Sequence, residues 1–170
     1  MKLKKVINDK VKKDYFLIEG FLDIDSKYFI KEINKAIQKS DNNNFQTNVQ
    51  GFMTPWEHFN YNKKFLKTIL PLFDYLDTLP NIKKYRLVSA WGLKEGFSHY
   101  TMDHDHLPNY LSGVIYLNDH QQVLIFPELQ KTFKPKKNSF VLFSSFLNHR
   151  TDRNLLDKDK YAISMNINRC

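Results

Sequence analysis

Glycine is scarce in this sequence, with five in 170 residues. Loops that cradle phosphates need glycines at fixed offsets, because only bare backbone lets the N–H groups approach the ligand. Neither GxGxxG nor GxxxxGK[ST] occurs, which excludes the dinucleotide-binding and P-loop classes. Cysteine is scarcer still. The one cysteine, Cys170, is the last residue, so no disulfide can form within the chain, and a reducing, cytoplasmic setting is expected. Long apolar runs are missing too. A spanning helix needs about eighteen or more apolar residues in a row, and no membrane association is expected. Residues 1–5 (MKLKK) resemble the start of a signal peptide. Yet Asn8, Asp9, Lys10, Lys12, Lys13 and Asp14 follow where an apolar segment should be.

What the sequence does have is apolar and aromatic content: 42% hydrophobic and 15% aromatic, with 14 Phe and 9 Tyr. That composition excludes a mainly disordered chain and suits a β-rich core. The length fits one domain spanning residues 1–170. A net charge of +8 leaves nucleic acid open as a partner without favouring it. The lysines are scattered, and clusters such as Lys131, Lys134, Lys136 and Lys137 are short.

The pattern changes near residue 80. Before it, residues 14–23 read as a strand and turn. A helix follows from Asp25, a plausible N-cap, with Phe29, Ile33, Ala36 and Ile37 at helical spacing. A second helix is expected from Asn62, with Phe65, Ile69, Leu72, Phe73 and Leu76 on one face, and Pro71 either kinking or dividing it. Residues 41–60 are irregular and could form a lid. After residue 80, short β-branched and aromatic runs at 85–91, 97–102, 111–117, 123–126, 139–143 and 161–167 alternate with turns. Helices first and strands after argue for an α+β fold: a sandwich or barrel core over about 85–168, with the helices of about 1–80 packed on one sheet.

Six histidines occur, at 58, 99, 104, 106, 120 and 149. Strand alternation puts His104 and His106 on one face, a two-imidazole platform for iron, zinc or nickel. A third ligand must come from another strand, and His149 follows the 139–146 run. His58 and His120 read as structural, and His99 as facing away from the pair. Tyr100 and Met102 share the parity of the ligands and, with Trp91, are candidates for the substrate side.

The run from His104-Asp105-His106 to Ser112-Gly113-Val114-Ile115-Tyr116-Leu117-Asn118 resembles the iron-binding and following strands of the 2-oxoglutarate/Fe(II) oxygenases. The nearest types are the prolyl hydroxylases and small phage or bacterial members. Lys134-Pro135 through Val141-Leu142-Phe143 to His149 is similar to that family's third-ligand region. Lys160-Tyr161-Ala162-Ile163-Ser164 is similar to its last core strand. The resemblance covers about residues 85–168 and implies a double-stranded β-helix of jelly-roll or cupin type. It also implies Fe(II) on His104, His106 and His149. The distal carboxylate of the co-substrate 2-oxoglutarate would be held by Lys160, Ser164 and Tyr116.

The expected reaction is oxidative decarboxylation of 2-oxoglutarate coupled to hydroxylation of a C–H bond. The substrate would be an amino-acid side chain in a peptide or protein, or else a small molecule. The family's usual carboxylate ligand is replaced by His106. Three explanations stand: a genuine three-histidine site, Asp103 or Asp105 entering through a bulge, or loss of oxygen chemistry. Either aspartate could instead orient a ligand imidazole. The alternatives to the leading reading are a three-histidine, cupin-like dioxygenase that does not use 2-oxoglutarate, and an inactive barrel retained as a binding module.

Overall fold

A computed structural model describes residues 14–39, 47–78 and 84–170 of the chain. The lysine-rich residues 1–13, the polar run at 40–44 expected to form a loop and part of the expected lid lie outside the described residues. The first strand, β1 (Leu17–Phe21), leads to helix α1 (Ser26–Lys39). Asp25 caps that helix, its Oδ1 accepting from the Tyr28 N–H at 3.1 Å. Two short strands follow, β2 (Val49–Gln50) and β3 (Phe52–Met53), and then helix α2 (Lys63–Asp77). Asn62 caps α2 by accepting from the Phe65 N–H at 3.0 Å. Pro71 does not divide this helix. It sits on the exposed side of the helix, as does Lys67, whose carbonyl loses its donor to the proline.

The remaining strands are β4 (Tyr85–Glu95), β5 (Tyr100–His104), β6 (Leu111–Tyr116), β7 (Leu124–Phe126), β8 (Lys131–Phe133), β9 (Ser139–Ser144), β10 (His149–Thr151) and β11 (Lys160–Arg169). They form a six-stranded sheet, β1-β9-β6-β11-β4-β3, and a five-stranded one, β2-β5-β10-β7-β8. Every strand pair among the described residues is antiparallel.

Alternation along the large sheet divides the core in two. Ile115, Leu142, Ile163, Met165 and Ile167 face the helices and pack with Phe29, Ile33, Phe65, Ile69 and Leu72. Each such side chain, fully buried, stabilises by about 1.5–3 kcal/mol. Gly92 lets α1 lie close, since a Cβ there would stand 2.4 Å from Ile33 Cγ1. The opposite residues, among them Trp91, Leu93, Val114, Tyr116, Phe143 and Ala162, pack with Val49, Leu124 and Phe126 of the smaller sheet. The helices therefore pack on one sheet, as expected, and the space between the sheets is left for a site.

A candidate metal centre between two sheets

His104 and His149 are direct cross-strand partners in the β5–β10 pairing. Opposed residues in an antiparallel pair hold their Cβ atoms about 4.5–5.5 Å apart, and these two rings lie 4.3 Å centre to centre. His106 arrives differently. β5 ends at His104, so strand alternation does not place His106. Its backbone N–H donates to the Ser145 carbonyl at 2.8 Å, and its carbonyl accepts from the Asn109 side chain at 2.8 Å. Its ring centre falls 4.8 Å from that of His104 and 5.1 Å from that of His149. The three donor atoms all lie within 4.8 Å of one another.

Backbone carbonyls fix two of the tautomers. His104 Nδ1–H donates to the Met102 carbonyl at 2.8 Å, and His149 Nδ1–H donates to the Leu147 carbonyl at 3.0 Å. In both rings Nε2 is then the nitrogen that carries the lone pair, the arrangement a metal-binding imidazole needs. Burial, reinforced by the neighbouring imidazoles, pushes His149 down to about 3 and His106 to about 2. His104 is also lowered, chiefly by burial. All three rings are therefore neutral at physiological pH and available to a cation.

The aspartates supply no donor atom to this cluster. Asp103 and Asp105 are exposed, and Asp105 Oδ1 accepts from the Leu107 N–H at 3.0 Å, which commits it to the turn. Main-chain carbonyls, not aspartates, orient His104 and His149.

The parity expected for Tyr100 and Met102 does not hold. Between His149 and Thr151 on β10, the β5 partners run from His104 to Thr101, so β5 carries one extra residue. This bulge turns Thr101 onto the His104 face. Met102 is 42% exposed, and Tyr100 lies under the Arg153 guanidinium. Trp91 does face inward, 6.0 Å from the His106 ring. His99 stays outside the cluster and accepts from the Gly96 N–H. His120 is a buried structural residue that donates to the Lys158 carbonyl, and His58 packs against Phe59.

The imidazoles stand at one end of a cavity with about 540 Å³ of atom-free space, part of it open to solvent. Lys160, Tyr116, Ser164 and Glu95 also line it. Lys160 Nζ lies 2.6 Å from Glu95 Oε2, and both side chains are almost wholly buried. Glu95 Oε1 accepts from the Thr101 and Thr151 hydroxyls at 3.2 and 3.4 Å. Burial, with Glu95 nearby, pushes the Tyr116 phenol well above its ordinary value, so it stays a donor. Ser164 is four residues from Lys160, about 13 Å along the strand. It pairs with Trp91 across the sheet, toward the imidazole end, and Ala162 is the neighbour of Lys160 on that face.

Glu95 was not anticipated from sequence. The signal was there: extending the 85–91 strand by four residues puts Glu95 on the face of Trp91. A second recess of about 570 Å³ adjoins His104 and His106 and is lined by Trp56, Trp91, Asn48 and Asn109. The buried Trp91 Nε1–H has no hydrogen-bond partner among the described residues.

No protein-family model matches the chain, and no curated protein matches it by sequence. Its structure, however, is similar to several solved ones. The viral collagen prolyl hydroxylase of Paramecium Bursaria Chlorella virus-1, in its 2-oxoglutarate complex, aligns with a TM-score of 0.67 and 20% identity over 93% of this chain and 97% of that one. A prolyl hydroxylase from Trichoplax adhaerens, in complex with a hypoxia inducible factor peptide fragment, gives 0.60 and 17% over 90% and 82%. The non-heme alpha-ketoglutarate-dependent epimerase SnoN from nogalamycin biosynthesis gives 0.70 and 13% over 91% and 77%. At these identities the likeness defines the fold: that of the 2-oxoglutarate/Fe(II) oxygenases. The chemistry must be argued from the site.

Proposed function

We propose that the chain is an iron(II)-dependent oxygenase that uses 2-oxoglutarate to hydroxylate a primary substrate. On this reading it is a single domain, residues 1–170, built as a double-stranded β-helix with its helices on one sheet. The observation that carries the reading is the clustering of three imidazoles, their donor atoms within 4.8 Å of one another, in a cavity that also holds a buried lysine. The donor set fits iron(II): His104, His106 and His149 would hold it, and three ligands on one side leave positions open. With 2-oxoglutarate and O₂, such a centre supplies oxidative decarboxylation of the co-substrate and hydroxylation of a C–H bond.

The protein's own groups divide the remaining work. Lys160 and Tyr116 would face the far end of the co-substrate, the lysine with Glu95 already beside it, and Ser164 would stand nearer the imidazoles. Leu93, Val114, Leu124 and Phe143 give the cavity apolar walls, which lower the local dielectric around those groups. A peptide is the favoured substrate class. The recess beside His106 is lined by amides and two tryptophans, and the unpartnered Trp91 Nε1–H suits a carbonyl acceptor. One of the fold's neighbours holds a peptide. A cytoplasmic setting belongs to the same proposal and rests on the lone cysteine. Among the described residues no helix is long and apolar enough to cross a membrane.

Anaerobic addition of Fe(II) and then 2-oxoglutarate tests the reading. A weak visible charge-transfer band and, once O₂ is admitted, succinate formation are expected. Stoichiometric iron without either result would overturn it. One observation favours a second reading, because Lys160 is already paired with Glu95. A three-histidine dioxygenase that binds its substrate without 2-oxoglutarate would consume oxygen independently of that acid. An inactive binding module would retain no stoichiometric metal.

A further inference from the structure

Among the described residues, the carboxylate that faces the cavity lies away from the metal end. Glu95 is 1% exposed. Its Oε2 meets Lys160 Nζ at 2.6 Å, and its Oε1 accepts from Thr101 and Thr151. The Tyr116 phenol feels its charge. The pairing is built into the sheet, since Lys160 and Glu95 are register partners across β11 and β4. A buried cation, two hydroxyls and a nearby phenol make a receptor for a carboxylate, and in this chain a side chain of the protein already fills it.

The electrostatic consequence follows from charge and distance. Lys160 and Glu95 sum to zero. A second carboxylate brought to Lys160 is attracted by the ammonium and repelled by Glu95 at similar range, so the two terms largely cancel. Its desolvation is then left uncompensated. A distal group without charge meets no such penalty.

We propose that Glu95 is a specificity-determining residue, which neutralises Lys160 and removes the advantage a distal carboxylate would give a 2-oxo acid in this cavity. The inference rests on the reading of the site as an iron centre that binds 2-oxo acids, and it deepens that reading by setting which acids bind well.

The test compares 2-oxoglutarate with 2-oxopentanoate, which has the same chain length and a methyl group in place of the distal carboxylate. Both are titrated anaerobically into Fe(II)-loaded protein, followed by calorimetry and the visible band. Wild type is expected to bind 2-oxoglutarate no more tightly than 2-oxopentanoate. Glu95→Gln frees the Lys160 charge and is expected to tighten 2-oxoglutarate at least tenfold while leaving 2-oxopentanoate within about threefold. The double variant E95Q/K160M is expected to lose that gain. A wild type that prefers 2-oxoglutarate tenfold overturns the proposal even if the variant does not fold. So does an E95Q protein whose preference is unchanged or reversed. If both acids bind and their ratio does not respond to E95Q, only the role of Glu95 falls. If neither acid perturbs the iron in any variant, the 2-oxo-acid reading falls with it.

Discussion

The two ends of the cavity use the same backbone scaffold to opposite effect. At the imidazole end, main-chain carbonyls hold the His104 and His149 rings through Nδ1, which leaves Nε2 as the acceptor nitrogen of each ring within the cluster. At the Lys160 end, the ammonium charge is already matched by Glu95, which also receives two threonine hydroxyls. One end is arranged for a ligand from outside and the other is internally satisfied. A buried polar group left without a partner is costly, so unanswered groups mark where a molecule is meant to bind. Filled positions mark where it must compete.

The largest effect expected bears on the open end. His149→Ala should abolish stoichiometric Fe(II) binding in metal analysis while the circular dichroism spectrum is retained. Bound iron surviving at full occupancy would break the contrast. Next comes the satisfied end. Lys160→Ala leaves Glu95 buried without its cation, which should cost about 3–5 kcal/mol of stability. Replacing both partners, as in E95Q/K160M, should recover most of that loss in urea denaturation. Equal losses in the two variants would show that the ion pair is not what matters there.

A smaller effect follows from acid. His149 and His106 are depressed to about 3 and about 2 from an ordinary 6.5. Below pH 6.5 the unfolded chain therefore binds protons that the folded chain refuses. The stability these rings contribute is whole above about pH 6.5 and drains away as the pH falls toward 3, by up to about 1.4 kcal/mol per pH unit for each histidine. Denaturation of metal-free protein at pH 7 and pH 5 should show the decline, and His149→Gln should flatten it. The smallest effect is a near-zero one. Asp105→Asn keeps an acceptor for the Leu107 N–H, so iron affinity should stay within about twofold; a large loss would mean the aspartate enters the metal site after all.

Much of the fold was legible from local pattern. The cap at Asp25, the start of the second helix near Asn62 and the apolar faces of both helices lie where the local pattern puts them. Five of the six strand-like runs become strands nearly as expected, and the 97–102 run does so only from Tyr100 on, because alternation and turn residues are properties of neighbours in sequence. The histidine trio was legible too, though partly for the wrong reason. His106 is carried by a turn tied to Ser145 rather than by strand alternation, and the bulge in β5 reversed the parity expected for Tyr100 and Met102.

By itself, then, the sequence determined which residue types could form a metal-competent cluster and which segments would bury apolar faces. The tertiary structure decided that three imidazoles from a strand end, a turn and a second strand meet within 4.8 Å. It also decided that Lys160 arrives opposite Glu95, 65 positions earlier in the chain. Strand register is set by the packing of a whole sheet face against its core, and one residue of slip would turn each of these side chains to the other side. No local stretch of sequence contains that information.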